Sequence, residues 1–121
     1  MSKLSDYNIK YRDRTKSFAV DVIRFYATYC KESDELRIIG KQFLRSGTSV
    51  AANFRAFTRG RSEAEKYAKL CIVVEEADET QFWFELIEEA QLLDKSNFIH
   101  IKNEIEELVK VFTVSKAKMK H

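Results

Sequence analysis

The sequence predicts an all-α protein, an up-down antiparallel four-helix bundle, and three observations carry that prediction. Apolar residues recur at spacings of three and four along four long stretches. The polar breaks between those stretches are a few residues long, so consecutive helices must turn back on one another and share a core. Proline is absent and glycine occurs three times in 121 residues, too seldom for the turns of a sandwich or barrel.

The first helix is expected from about Thr15 to Lys31, where Phe18, Val22, Phe25, Tyr26 and Tyr29 repeat at helical spacing. Ser33 suits an N-cap, with Asp34 and Glu35 in the first turn, where the helix dipole favours negative charge. The second helix then runs to about Arg59. Gly60 follows at a position suited to a left-handed residue, and Ser62 with Glu65 forms a capping-box pattern that opens the third helix. That helix is expected to continue to about Leu93. Asp94, Lys95 and Ser96 break the pattern, and Phe98, Ile101, Ile105, Leu108 and Phe112 define the fourth helix. The chain reads as one domain over residues 1–121, with 1–14 and 115–121 as flexible ends.

Composition narrows the function classes. With 45% apolar and 33% charged residues the chain can build a core, and it contains no apolar run of the roughly 18 residues a membrane span needs. A polar start without an apolar signal segment points to the cytoplasm. Cys30 and Cys71 lie 41 positions apart with no CxxC spacing, and read as reduced thiols packed as small apolar groups. Net charge is +2, but residues 1–74 carry 15 Lys/Arg against 8 Asp/Glu, whereas residues 75–121 carry 6 against 11. A basic half and an acidic half can pair within the chain, pair between subunits, or hold an external polyanion.

The second helix resolves into three stripes. Ile39, Phe43, Val50, Phe54 and Phe57 are apolar and face the core. Gln42, Ser46, Ser49, Asn53, Ala56 and Gly60 are small or polar, and with Gly47 beside them let another helix come close. Arg37, Lys41, Arg45, Thr48, Ala52, Arg55 and Arg59 lie about 200° round from the apolar stripe. Between Arg37 and Arg61 there are six basic residues and no acidic one. Arginines fork onto phosphates or carboxylates, so Arg37, Lys41, Arg45, Arg55, Arg59 and Arg61 are candidates for binding nucleic acid. The competing reading makes the stripe a solvated face, or a partner for acidic residues of the third helix.

The third helix supplies those acids. Glu75, Glu76, Asp78, Glu79 and Trp83 are candidates for charge pairing or oligomer contacts, with Asp78 expected to be part-buried and to pair with Arg55, Arg59 or Arg61 in the bundle or in a neighbouring subunit. Consecutive apolar residues, Leu70 to Val74 and Phe82 to Phe84, cover nearly the whole circumference of this helix and ask for contacts on more than one side. A homo-oligomer answers that demand. Enzymatic chemistry has little support in the sequence, and no cofactor or metal is expected. Glu-x-x-His, glycine-rich phosphate loops, nucleophile elbows and zinc spacings are missing, and His100 with Glu104 reads as a surface ion pair.

Longer blocks of sequence carry a family resemblance. Gly47-Thr48-Ser49-Val50-Ala51-Ala52-Asn53-Phe54-Arg55-Ala56, Arg59-Gly60-Arg61-Ser62-Glu63-Ala64-Glu65, Lys69-Leu70 with Ile72-Val73, and Glu75 to Thr80 with Phe82-Trp83 and Glu85-Leu86 resemble the four-helix-bundle family of 23S rRNA intervening-sequence proteins. Phe54-Arg55-Ala56-Phe57 stands where one branch has Asn-Ile-Ala-Glu-Gly, so the chain looks nearer the branch with Arg-Ala and Arg-x-Arg-Ser. The resemblance implies a bacterial up-down bundle assembling as a ring-like homopentamer. It extends to the accessory variability protein of diversity-generating retroelements, a bundle that associates with a reverse transcriptase and binds nucleic acid. Carried onto this chain, the resemblance reaches Arg55, Arg59 and Arg61, with RNA or DNA and a reverse transcriptase or other nucleic-acid enzyme as the implied partners.

Overall fold

In the computed structural model, which describes residues 5–94 and 98–119, four helices follow one another: α1 (Asp6–Tyr29), α2 (Asp34–Thr58), α3 (Glu63–Glu89) and α4 (Ile99–Lys118). Each helix packs on its sequence neighbours, and α1 meets α4 more sparingly to close the bundle. The expected boundaries hold best where a cap is present. Ser33 accepts from the Leu36 amide and Ser62 from the Glu65 amide, so both serines satisfy an amide that the first turn of a helix leaves unpaired.

Three boundaries differ from the sequence reading. Residues 6–14, expected as a flexible end, form the first turns of α1, because Ser5 caps the Asn8 amide and Tyr11 is buried. The other expected flexible end, from Ser115, continues α4 to Lys118. The two extensions support each other: Tyr7 and Ser115 hydroxyls are 2.5 Å apart, and Ser115 donates to the Val111 carbonyl. Arg14 lies across from Glu104 and grips it with two hydrogen bonds of 2.8 and 2.7 Å, so Glu104 is the partner of Arg14 rather than of His100. Lys95 and Ser96, part of the expected break before the fourth helix, lie outside the described residues.

The third difference is the end of α3, at Glu89 instead of near Leu93. Gln91 takes a left-handed φ of 54°, while its amide bonds to Glu88 O and the Leu92 amide reaches Ile87 O. These two bonds make a Schellman C-cap, for which glycine is the usual residue at the left-handed position. Glutamine gives no sequence signal for it. Gly60, expected to be left-handed, has no positive φ; a Cβ there would sit 2.4 Å from Lys66 Cγ at the turn into α3. Gln91→Gly should therefore stabilise the protein by roughly 1 kcal/mol through relief of the left-handed strain, less the glycine's entropy cost, measurable as a rise in the urea midpoint.

The core has an aromatic cluster toward each end. Tyr11, Phe54, Phe57 and Phe112 join α1, α2 and α4 at one end, and Phe25, Phe43 and Phe84 join α1, α2 and α3 at the other. Smaller residues fill the middle. Here α1 comes close to α2, for a Cβ at Gly47 would lie 3.0 Å from both methyls of Val22; the two helices also meet closely near their turn, where a Cβ at Gly40 would lie 2.7 Å from Cβ of Cys30, the C-cap of α1. Burial at this contact pushes the Cys30 thiol up to about 11, so it is protonated and unreactive at neutral pH. No helix is long and apolar enough to cross a membrane among the described residues.

Candidate nucleic-acid interface

Helix α2 sorts its side chains much as its periodicity predicts. Phe43, Val50, Phe54 and Phe57 are buried, Ile39 is half-buried, and Arg37, Lys41, Arg45, Ala52, Arg55 and Arg59 are exposed with Thr48 half-buried among them. The small polar residues serve packing. Ser46 is buried and donates to Phe43 O, while Asn53 Nδ2 donates to both Ser49 O and Ser49 Oγ at 2.9 Å. Those local bonds let polar residues sit against a neighbouring helix with their hydrogen-bonding groups satisfied.

The six basic candidates divide by partner. Arg37 bonds to Asp34 and to the Lys31 carbonyl, so its charge is spent at the start of its own helix. Arg45 reaches across to α3, at 2.9 Å from Glu79 and 3.7 Å from Glu76. Lys41, Arg55, Arg59 and Arg61 have no ion pair among the described residues. Arg55 and Arg59 stand one turn apart and form a ridge between two open grooves. One, about 550 Å³, lies toward α1 and is lined by Arg12, Asp13, Lys16, Ala51, Ala52, Arg55, Thr58 and Arg59. The other, about 410 Å³, lies toward α3 and adds Arg61, Glu65 and Lys69 to the ridge. Arg12, Lys16 and Lys69 were not among the sequence candidates. Their place in the site depends on which helices flank α2, and a single helix's stripe carries no such signal.

The acidic candidates also separate. Glu76 and Glu79 face Arg45, whereas Glu75 and Asp78 are exposed on the outer side of α3. Within this chain Asp78 is thus exposed and, among the described residues, has no ion pair with Arg55, Arg59 or Arg61, because steps of three and four from Glu75 place Asp78 on a ridge with Phe82, Glu85 and Glu89. Phe82 is 48% exposed in the middle of that ridge. Trp83, next to it, packs against the core, yet its indole Nε1 is buried without an acceptor. No group of three or more His, Cys, Asp or Glu is arranged to hold a metal ion among the described residues.

Glu76 is the strained member of the set. Its side chain is 17% exposed and Oε1 has no hydrogen-bond partner. Burial pushes its carboxyl above the usual range, as does the neighbouring Glu79, with Arg45 and Ser49 pulling the other way. Because the folded protein holds this proton to higher pH than the unfolded chain does, stability falls as pH rises from the ordinary glutamate range through the raised value. Glu76→Gln should remove that dependence. The variant's stability relative to the parent is expected to climb as pH rises from the ordinary glutamate range through the raised value in urea unfolding, and an equal difference at every pH would contradict the assignment.

Comparison with known proteins agrees with this architecture. A sequence model of the family described as 23S rRNA-intervening sequence protein matches residues 8–114. A crystal structure of a protein of unknown function from the S23 ribosomal protein family of Bacteroides thetaiotaomicron is similar at 30% identity and a TM-score of 0.78. The match covers 92% of this chain and 98% of that one. No curated protein matches the chain.

Proposed function

The chain belongs to the family of 23S rRNA-intervening sequence proteins, and from that premise we propose that it is a non-enzymatic oligomeric bundle that binds nucleic acid through the basic face of α2. The observation that carries the reading is that Arg55, Arg59 and Arg61, which line two open grooves, and Lys41, further along the same face, have no ion pair among the described residues, while acidic residues crowd α3. Cations that served only to neutralise the bundle would be drawn to those carboxylates. A single copy carries +2, too little for tight binding, and repetition of the face in a homopentamer would let weak sites act together. The half-exposed Phe82 and the unsatisfied Trp83 Nε1 support subunit contacts on α3. In the cytoplasm such a body would present RNA or DNA to a reverse transcriptase or another nucleic-acid enzyme.

A scaffold reading rests on a different observation, the Arg45 contacts with Glu76 and Glu79, which show that arginines of this stripe can serve carboxylates. The two readings part in one experiment. Purified protein is mixed with a structured RNA and a matched duplex DNA at low and at physiological salt, and its mass is followed by light scattering. Binding that weakens steeply with salt supports the nucleic-acid reading. An oligomer that retains neither nucleic acid at low salt leaves the arginines to architecture.

A further inference from the structure

The two grooves beside Arg55 and Arg59 hold more charge than α2 alone supplies. Their linings together contain Arg12, Lys16, Arg55, Arg59, Arg61 and Lys69 against the carboxylates Asp13 and Glu65. Six cations against two anions leave +4 on one end of the bundle, twice the net charge of the whole chain. Arg12 and Lys16 are spaced i, i+4 on α1, as Arg55 and Arg59 are on α2, so the wider groove is walled by two facing pairs of cations. Its base is narrow in side chains. Ala51 and Ala52 leave the α2 backbone open to a close approach, and Ala56 does the same in the second groove.

Neither lining includes an aromatic residue or an aliphatic residue larger than alanine. Unstacked bases are held by aromatic platforms, and such platforms are missing from both grooves. What the grooves offer instead is forked guanidinium groups and ammonium groups, the donors that suit phosphate oxygens. We infer that the Arg55–Arg59 ridge is the shared wall of two phosphate subsites, one completed by Arg12 and Lys16 of α1, the other by Arg61 and Lys69, and that both take the backbone of one nucleic-acid strand without reading its bases. The inference rests on the nucleic-acid reading above and adds to it the phosphate backbone as the group recognised and α1 as part of the site. Asp13, which lies 3.5 Å from Arg12 Nε, limits the charge of the α1 wall.

The test compares two double variants of equal charge. Arg12→Ala/Lys16→Ala removes the α1 wall, while Arg24→Ala/Lys31→Ala removes two exposed cations toward the opposite end of α1 and its turn into α2, which line neither groove. Binding of a structured RNA and of duplex DNA is measured across a salt series, with inorganic tripolyphosphate as a competitor that has no bases. The groove variant is expected to lower the slope of log affinity against log salt by about 1.4 to 1.8, two phosphate contacts' worth, and the control pair by much less. Tripolyphosphate should displace RNA of any sequence alike. Should the alanine form lose its helical signal, Arg12→Gln/Lys16→Gln supplies the same charge removal with longer side chains. If the parent binds RNA and both double variants keep its slope, the α1 subsite is wrong while binding by the α2 face stands. If the parent binds neither nucleic acid even at low salt, the underlying reading fails and this one with it.

Discussion

Phe54→Ala is expected to cost about 3–5 kcal/mol, a large share of the roughly 5–15 kcal/mol that holds a domain of this size together. Phe54 is fully buried, and its ring meets Tyr7 and Tyr11 of α1, Phe57 of α2 and Phe112 of α4 at centroid distances of 5.2 to 6.4 Å. Removing it opens a void that three helices would have to close at once. Each of them is fixed further along by its own core residues, so collapse is limited and the cavity cost is retained. Thermal unfolding should move down by about 10–20 °C. Phe82→Ala is the matched control, because the same ring on the outer ridge of α3 is half exposed and its loss should stay within about 0.5 kcal/mol in the monomer. A Phe54 variant that melts with the parent would mean that the cluster at this end is not packed as described.

The contrast between those two phenylalanines shows what a single sequence discloses. Phe54 falls in a stripe with Phe43, Val50 and Phe57, and the stripe alone assigns it to the core. Phe82, Trp83 and Phe84 are consecutive, so periodicity gives no ranking among them; Phe84 is buried because it faces Phe25 and Phe43, a relation set by the packing of α1 and α2. The same limit applies to the ends. Tyr7 and Tyr11 look like part of a polar terminus until Phe112 and Ser115 of α4 are seen beside them. Caps made by serine were legible because serine bonds its own neighbouring amides, whereas the C-cap at Gln91 depends on a backbone conformation that glutamine does not advertise.

Charge was legible along each helix and not across the bundle. The exposed positions of α2 follow from its 3.6-residue period, which gave Arg55 and Arg59 as candidates. Which arginine meets an acid depends on the register of α2 against α3, and that register selects Arg45, with Glu76 and Glu79, over the expected contacts of Asp78. The flank toward α1 determines equally that Arg12 and Lys16 join the site. Register and neighbour choice are sums over many packing contacts. No local motif reports them.

Arg55→Ala/Arg59→Ala is expected to weaken nucleic-acid binding by about tenfold or more at low salt and to reduce its salt slope by about 1.4 to 1.8, with fold and oligomer mass preserved. Both side chains are exposed and have no ion pair among the described residues, so their removal sacrifices none of the described internal pairs, and alanine is the better helix former. Arg45→Ala should behave in the opposite way. Its charge is already answered by Glu79 and Glu76, so affinity should change less, while the loss of the cation leaves Glu76 buried beside Glu79 and lowers stability at neutral pH. Salt-series binding and urea unfolding on the two variants therefore give crossed results if α2 divides its arginines between ligand and structure. If Arg55→Ala/Arg59→Ala keeps its affinity and instead shifts the oligomer mass, these arginines serve a neighbouring subunit, and the exposed acids Glu75, Asp78, Glu85 and Glu89 of α3 become the contacts to exchange next.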